Sequence, residues 1–140
     1  MGIIVGDGVV EWVAPRALGA STFGTARAIG WESNGKIVAG VVYTNWNGRN
    51  IDVHVAIDGP ITRKFIWTIC DYPFNQLKVE RVTGMVAENN RKSRNFAERI
   101  GFVKETTLRN AHPSGDLLVY VIRKKECRWL QSRQRLALAA

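Results

Sequence analysis

Only two cysteines and two histidines occur in 140 residues, and that scarcity removes several functions at once. Cys70 and Cys127 lie far apart and form no C-x-x-C pair. Neither a zinc knuckle nor a disulfide framework is therefore implied, and a reducing cytoplasm suits both thiols. No apolar run approaches the roughly 18 residues that suggest a membrane span. The apolar start Gly2-Ile3-Ile4-Val5-Gly6 is too short for a secretory core, follows no basic residue and runs into Asp7. No export signal is expected from it, and it lacks the Ser or Thr of a myristoylation signal. There is no H-E-x-x-H, G-x-S-x-G or Walker pattern, no internal repeat and no low-complexity tract.

What is present fits one soluble globular domain, with 46% hydrophobic and 23% charged residues. The expected organisation is a domain over residues 1–130 and a tail over 131–140, either an exposed helix or frayed. Twenty Lys and Arg against 12 Asp and Glu give a net charge of +8. That excess favours anionic partners without naming one: nucleic acid, an acidic protein surface and the phosphates of a nucleotide cofactor all fit.

Along the chain, Pro15 and the Gly/Ser/Thr-rich residues 19–25 predict a first helix over 9–18 that is brief or broken. Residues 26–31 and 37–43 then read as strands joined at Ser33-Asn34-Gly35, a hairpin signal. After Asn47-Gly48, residues 51–57 alternate strictly, with aliphatics at odd positions and Asp52 and His54 at even ones. Ile66, Ile69, Cys70, Phe74 and Leu77 recur at helical spacing; Pro60 marks a place where that helix can begin, and Pro73 predicts a kink near its end. Residues 81–87 read as a strand. A second helix opens near Asn90, carries the apolar stripe Phe96, Ala97 and Ile100, and stops at Gly101. Residues 102–108 and 117–123 complete the pattern as strands around a loop over 110–116. The fold class expected is α/β (α+β), a mixed central sheet flanked by helices.

From Arg81-Val82-Thr83-Gly84-Met85-Val86-Ala87 through Asn90-Arg91-Lys92-Ser93 to Ile100-Gly101-Phe102, with Leu108-Arg109 beyond, the chain resembles the GNAT-type N-acetyltransferases over residues 35–130. The family pattern is a strand, N-x-x-S, a helix and Gly-Phe. Residues 71–77 and 126–130 further resemble short members encoded by tailed bacteriophages and prophages, which would place the protein in a bacterial host cytoplasm. The resemblance implies that acetyl-coenzyme A is the acetyl donor, that no metal is needed, and that a primary amine accepts, either a protein N-terminus or a small-molecule amine. It implies a pantetheine arm bound along Val55, Ala56 and Ile57 where two parallel strands splay apart. It also implies a pyrophosphate held at the next helix N-terminus by Ile61, Thr62, Arg63 and Lys64, whose free N–H groups and dipole favour an anion.

Two departures stand out. The family's Q/R-x-x-G-x-G/A turn is replaced by Ile57-Asp58-Gly59-Pro60-Ile61-Thr62, in which Pro60 offers no N–H, so phosphate binding can lean on Arg63. A helix tyrosine that many members use to protonate the leaving thiolate is Ala97 here, which leaves the donor unidentified. Asn90 matches the family asparagine at the cofactor arm, and locally it is equally a helix cap; Ser93 is a second cap candidate.

An amine attacks a thioester only when neutral, so a base is needed, together with a donor for the developing oxyanion. His54 is the base candidate, with Asp52 on the same face to orient it or stabilise its charge; the backbone N–H near Ala56 is the oxyanion candidate. The alternative for Asp52 and His54 is the solvated face of a half-buried strand. His112, beside Pro113, reads as an exposed loop residue. Two other functions stay open: a catalytically degenerate fold member that binds a partner, and a basic nucleic-acid-binding module.

Overall fold

The computed structural model describes residues 2–18 and 26–130; the sequence expectations for 19–25 and for the tail lie outside them. Among the described residues, seven strands form one mixed sheet in the order β1-β2-β3-β4-β5-β7-β6. The strands are β1 Gly2–Val5, β2 Arg27–Ser33, β3 Lys36–Thr44, β4 Asn50–Ile57, β5 Arg81–Ala87, β6 Val103–His112 and β7 Gly115–Arg123. All neighbours are antiparallel except β4 and β5, which run parallel and require a crossover. That crossover is helix α2, Arg63–Asp71.

Alternation along β4 divides the core. Ile51 and Val53 face the main cluster, which Phe65, Ile69 and Phe74 enter from the α2 side and Phe96 and Ile100 from α3, Arg91–Ile100. Ala56 faces the opposite side and packs with Val9, Val10, Val13 and Val42 beneath α1, Asp7–Leu18. Period-two patterning on β4 thus separates a face under α2 and α3 from an α1-side face.

Several expectations need correction. Residues 2–5 form a strand that pairs with β2, which the sequence reading did not anticipate. Helix α1 runs unbroken through Pro15; Pro15 and Glu11 both lie on its exposed side, so water can take over the Glu11 carbonyl. Helix α2 starts after Pro60, with Thr62 as its N-cap. Instead of kinking, the chain widens into a π turn over Tyr72–Gln76, closed by Leu77 N–H donating to the Tyr72 carbonyl at 3.0 Å. Pro73 leaves the Ile69 carbonyl without its helical donor, and the buried Tyr43 hydroxyl donates to that carbonyl at 2.7 Å. Strands β6 and β7 reach as far as His112 and Gly115, which shortens the expected loop to a tight turn.

Helix α3 is fixed at both ends. The Asn90 side chain accepts from Ser93 N–H at 3.2 Å, and Gly101 closes the C-terminus with φ of 117°. Beyond it, Trp129 Nε1 donates to the Ile100 carbonyl at 3.0 Å and the Arg128 guanidinium donates to that of Arg99. Cys127 is buried against Cys70, and both thiols are free.

Gly40 on β3 shows how closely α1 sits. A Cβ there would lie 2.6 Å from Val13 Cγ2 and 3.0 Å from Val9 Cγ1, so Gly40→Ala forces the helix off the sheet. Overpacking of this kind costs about 1–3 kcal/mol, and chemical denaturation should show a lowered midpoint with an unchanged slope. An unaltered midpoint would mean that α1 moves away freely.

Candidate active site

The parallel ladder between β4 and β5 ends at Val53 and Gly84, although β4 continues to Ile57 and β5 to Ala87. The strands therefore splay, and α3 begins beside the gap. Which backbone groups face it follows from two hydrogen bonds. Asp58 N–H donates to the Val38 carbonyl at 2.7 Å, and Ala56 pairs with Gly40 in the same register, so the backbone groups at even positions point to β3. The odd ones point to the gap, where the Ser93 hydroxyl donates to the Val55 carbonyl at 3.4 Å. Of the N–H groups near Ala56, the Ala56 N–H itself faces β3, and the Val55 N–H faces the gap.

Above the splay lies a narrow cavity of about 40 Å³ between α2 and α3, whose lining includes Val55, Gly84, Ser93, Phe96, Ala97 and Tyr120. It is apolar apart from Ser93, Cys70 and Tyr120. One water needs about 10–15 Å³ of such space, so the slot has room for only a few waters, and an extended thioester arm enters by parting the two helices or lying along the rim. The Tyr120 hydroxyl is buried and has no hydrogen-bond partner. An apolar slot, gap-facing backbone groups and an unspent polar hydrogen fit an acyl-pantetheine arm.

At the mouth of α2, Thr62, Arg63 and Lys64 are exposed and Ile61 is half-buried. Thr62 Oγ1 accepts from Phe65 N–H at 3.4 Å. The Arg63 and Lys64 N–H groups lie in the first turn, where helical partners are missing. In the turn before this helix start, the Asp58 carboxylate meets Arg16 Nε at 2.9 Å, and the Arg16 guanidinium is stacked 3.9 Å from the Trp12 ring centroid. The structure thus brings Ile61 to Lys64 to one helix mouth and Val55, Ile57, Asn90 and Ser93 to the gap, while Ala56 packs under α1.

On the α1-side face, His54 adjoins Val53, the last β4 residue paired with β5. His54 Nε2 lies 3.2 Å from Thr44 Oγ1. Burial lowers the pKa of His54 from its ordinary 6.5, and the charge of Asp52 partly opposes that shift. The Asp52 carboxylate accepts from Asn45 Nδ2 at 3.0 Å and from Asn50 Nδ2 at 3.1 Å. The chain continues from Thr83 Oγ1 to Asn50 Oδ1 at 2.7 Å and from Arg81 Nε to Thr83 Oγ1 at 3.0 Å, and Arg81 forks onto Glu105. Asp52 therefore sits in a strand-spanning polar network, and its charge acts on His54 next to it on the same face. Sequence reasoning missed Thr44, Asn50, Thr83 and Arg81, and strand register was the signal needed: Thr44 lies opposite Asp52, and Thr83 beside it on β5. His112 ends β6, exposed residues surround it, and its Nδ1 lies 2.8 Å from Ser114 Oγ.

Among the described residues, no group of three or more His, Cys, Asp or Glu side chains is placed to hold a metal ion, and no helix is long and apolar enough to cross a membrane. No protein-family model and no curated protein matches the chain. Solved structures do. One described as a probable acetyltransferase aligns at 26% identity with a TM-score of 0.61 over 71% of this chain, which spans 61% of that protein. Spermidine N-acetyltransferase from Vibrio cholerae, in complex with CoA and spermine, aligns at 20% identity and a TM-score of 0.63 over 76% of this chain and 69% of its own. A mutant of the Vibrio cholerae enzyme aligns at 18% identity and a TM-score of 0.71 over 95% and 99%. With its strand order, parallel splay and crossover helix, this single domain has the fold of the GNAT N-acetyltransferases.

Proposed function

We propose that this chain is an acyl-CoA-dependent N-acetyltransferase that moves an acetyl group from acetyl-CoA to a primary amine, either an N-terminus or a small-molecule amine. The observation that carries this reading is the splay after Val53 and Gly84 with His54 at its origin. The solved neighbours support it, one of them being described in complex with CoA and spermine.

Each part has a physical role. Val55 and Ile57 offer backbone groups to the amides of a pantetheine arm, and Asn90 and Ser93 hold the start of α3 against β4. Arg63, Lys64 and the N–H groups of the first turn of α2 attract the phosphates. His54, kept neutral near pH 7 by burial, takes a proton from the amine as its nitrogen attacks. The Val55 N–H donates to the carbonyl oxygen as negative charge develops there.

Isothermal titration with acetyl-CoA tests binding, and release of free thiol across a panel of amines tests transfer. Arg63→Ala should weaken acetyl-CoA binding by about threefold to tenfold, and less at high salt, because the contact is an exposed charge pair. Undiminished affinity would move the phosphates away from this helix. A second reading has one observation in its favour: Asp58 sets a carboxylate, held by Arg16, beside the phosphate turn. A degenerate member would bind its partner and release no thiol with any amine.

A further inference from the structure

Tyr120 is 1% exposed, lines the cavity above the splay, and leaves its hydroxyl without a hydrogen-bond partner. It stands on β7 opposite Gly84, the last β5 residue paired with β4, so it leaves the sheet level with the origin of the gap. Its ring packs in a small cluster with Leu118 and Ala97, and the single methyl of Ala97 leaves room for it beneath α3. The other polar groups of the cavity are already engaged. The Ser93 hydroxyl is given to Val55, and the Cys70 thiol is tied to that of Cys127, which pushes its pKa up. Buried hydroxyls are rarely left unpaired without a reason, and a ligand that completes the hydrogen bond is one.

The neighbour of this hydroxyl sharpens its chemistry. Arg94 Nε is likewise buried without a partner, while its Nη1 donates to the Glu88 carbonyl at 3.0 Å. The phenol lies near enough to the guanidinium to be the main cause raising the Arg94 pKa, though their geometry falls short of a hydrogen bond. A permanent cation beside a phenol stabilises the phenolate that forms when the proton leaves.

Resting on the acetyl-transfer reading above, we infer that Tyr120, backed by Arg94, is the acid that protonates the departing sulfur. The amine nitrogen bonds to the acyl carbon, and the carbon–sulfur bond breaks with its electron pair going to sulfur. The proton of Tyr120 Oη passes to that sulfur, which leaves a phenolate beside Arg94. The proton that His54 takes from the amine returns through solvent to the phenolate, so the products are an amide and a free thiol, with both side chains restored.

Tyr120→Phe removes one oxygen and keeps the ring. With acetyl-CoA and an accepted primary amine, it should lower kcat by at least about tenfold and leave the KM for acetyl-CoA and the calorimetric affinity for CoA unchanged. Its Tm should hold or rise, because deleting an unsatisfied buried hydroxyl does not weaken a fold. The basic limb of the wild-type kcat profile should disappear in Tyr120→Phe. Arg94→Gln should lower kcat as well, because the phenolate that forms loses its neighbouring cation. An active wild-type enzyme whose Tyr120→Phe variant keeps its kcat and basic limb would overturn the inference while leaving the acetyl-transfer reading intact. A wild-type chain that binds acetyl-CoA and releases no thiol with any amine would overturn both.

Discussion

Replacing Phe96 by alanine is expected to lower the free energy of unfolding by about 3–5 kcal/mol, the range for deleting a buried phenylalanine. Phe96 is 9% exposed, belongs to the main core cluster, and borders the cavity between α2 and α3. Truncation enlarges space already present, and collapse is opposed because α3 is held by Asn90 at its start and by Gly101, Arg128 and Trp129 at its end. A domain of ordinary stability has about 5–15 kcal/mol in total, so the loss should be plain in a urea titration. Glu98→Ala, on the exposed face of the same helix, should shift the midpoint little. Equal small effects from both substitutions would show that the helix face is wrongly placed. The same experiment bears on the site, since Ser93 and Ala97 share the buried face with Phe96.

Helix α3 and strands β4 and β5 were legible because local rules and tertiary environment agree there. Strict alternation in β4 leaves one face for each side of the sheet, and the Asn90 cap, apolar stripe and Gly101 stop coincide with the observed helix. Where the two disagree, the reading failed. The four residues of β1 are too few to show a period, and only pairing with β2 makes them a strand. Phe74 and Leu77 continue a helical pattern that Pro73 widens into a π turn, and this is stable because Tyr43, distant in sequence, donates to the freed Ile69 carbonyl. The candidate site divides in the same way. Which face His54 shares with Asp52 follows from spacing alone. Whether the Ala56 or the Val55 N–H faces the gap depends on register against β3, and no spacing rule carries that. The Thr44 contact to His54 and the buried Tyr120 hydroxyl arise from strand neighbours that only the folded sheet supplies.

His54→Ala is expected to lower turnover by about 10²-fold near pH 7, the lower end of what a positioned base contributes. Burial holds the His54 pKa below its ordinary 6.5, with Asp52 partly restoring it, so the imidazole is neutral and able to accept a proton at pH 7. For stability the sign is fixed by the same shift. The unfolded chain takes up a proton on this histidine near 6.5 while the folded chain resists, so the contribution is full above about 6.5 and is lost as pH falls through the folded pKa. Wild-type turnover and stability should therefore both decline on the acid side, and in His54→Ala that share of the acid sensitivity should vanish. His54→Gln separates the two roles: its amide can keep a hydrogen bond to Thr44 but cannot serve as a base, so kcat should fall while Tm holds. The acceptor enters through its own ionisation. An α-amino group titrates near 7.7–8.0 and a lysine near 10.4, so a lone imidazole suffices for the first and is hard pressed by the second. The loss in His54→Ala should accordingly shrink above about pH 8 with an N-terminal or low-pKa amine, which by then deprotonates itself. A loss uniform across pH would assign His54 a structural role, and efficient acetylation of lysine with poor use of N-terminal amines would overturn the choice of acceptor.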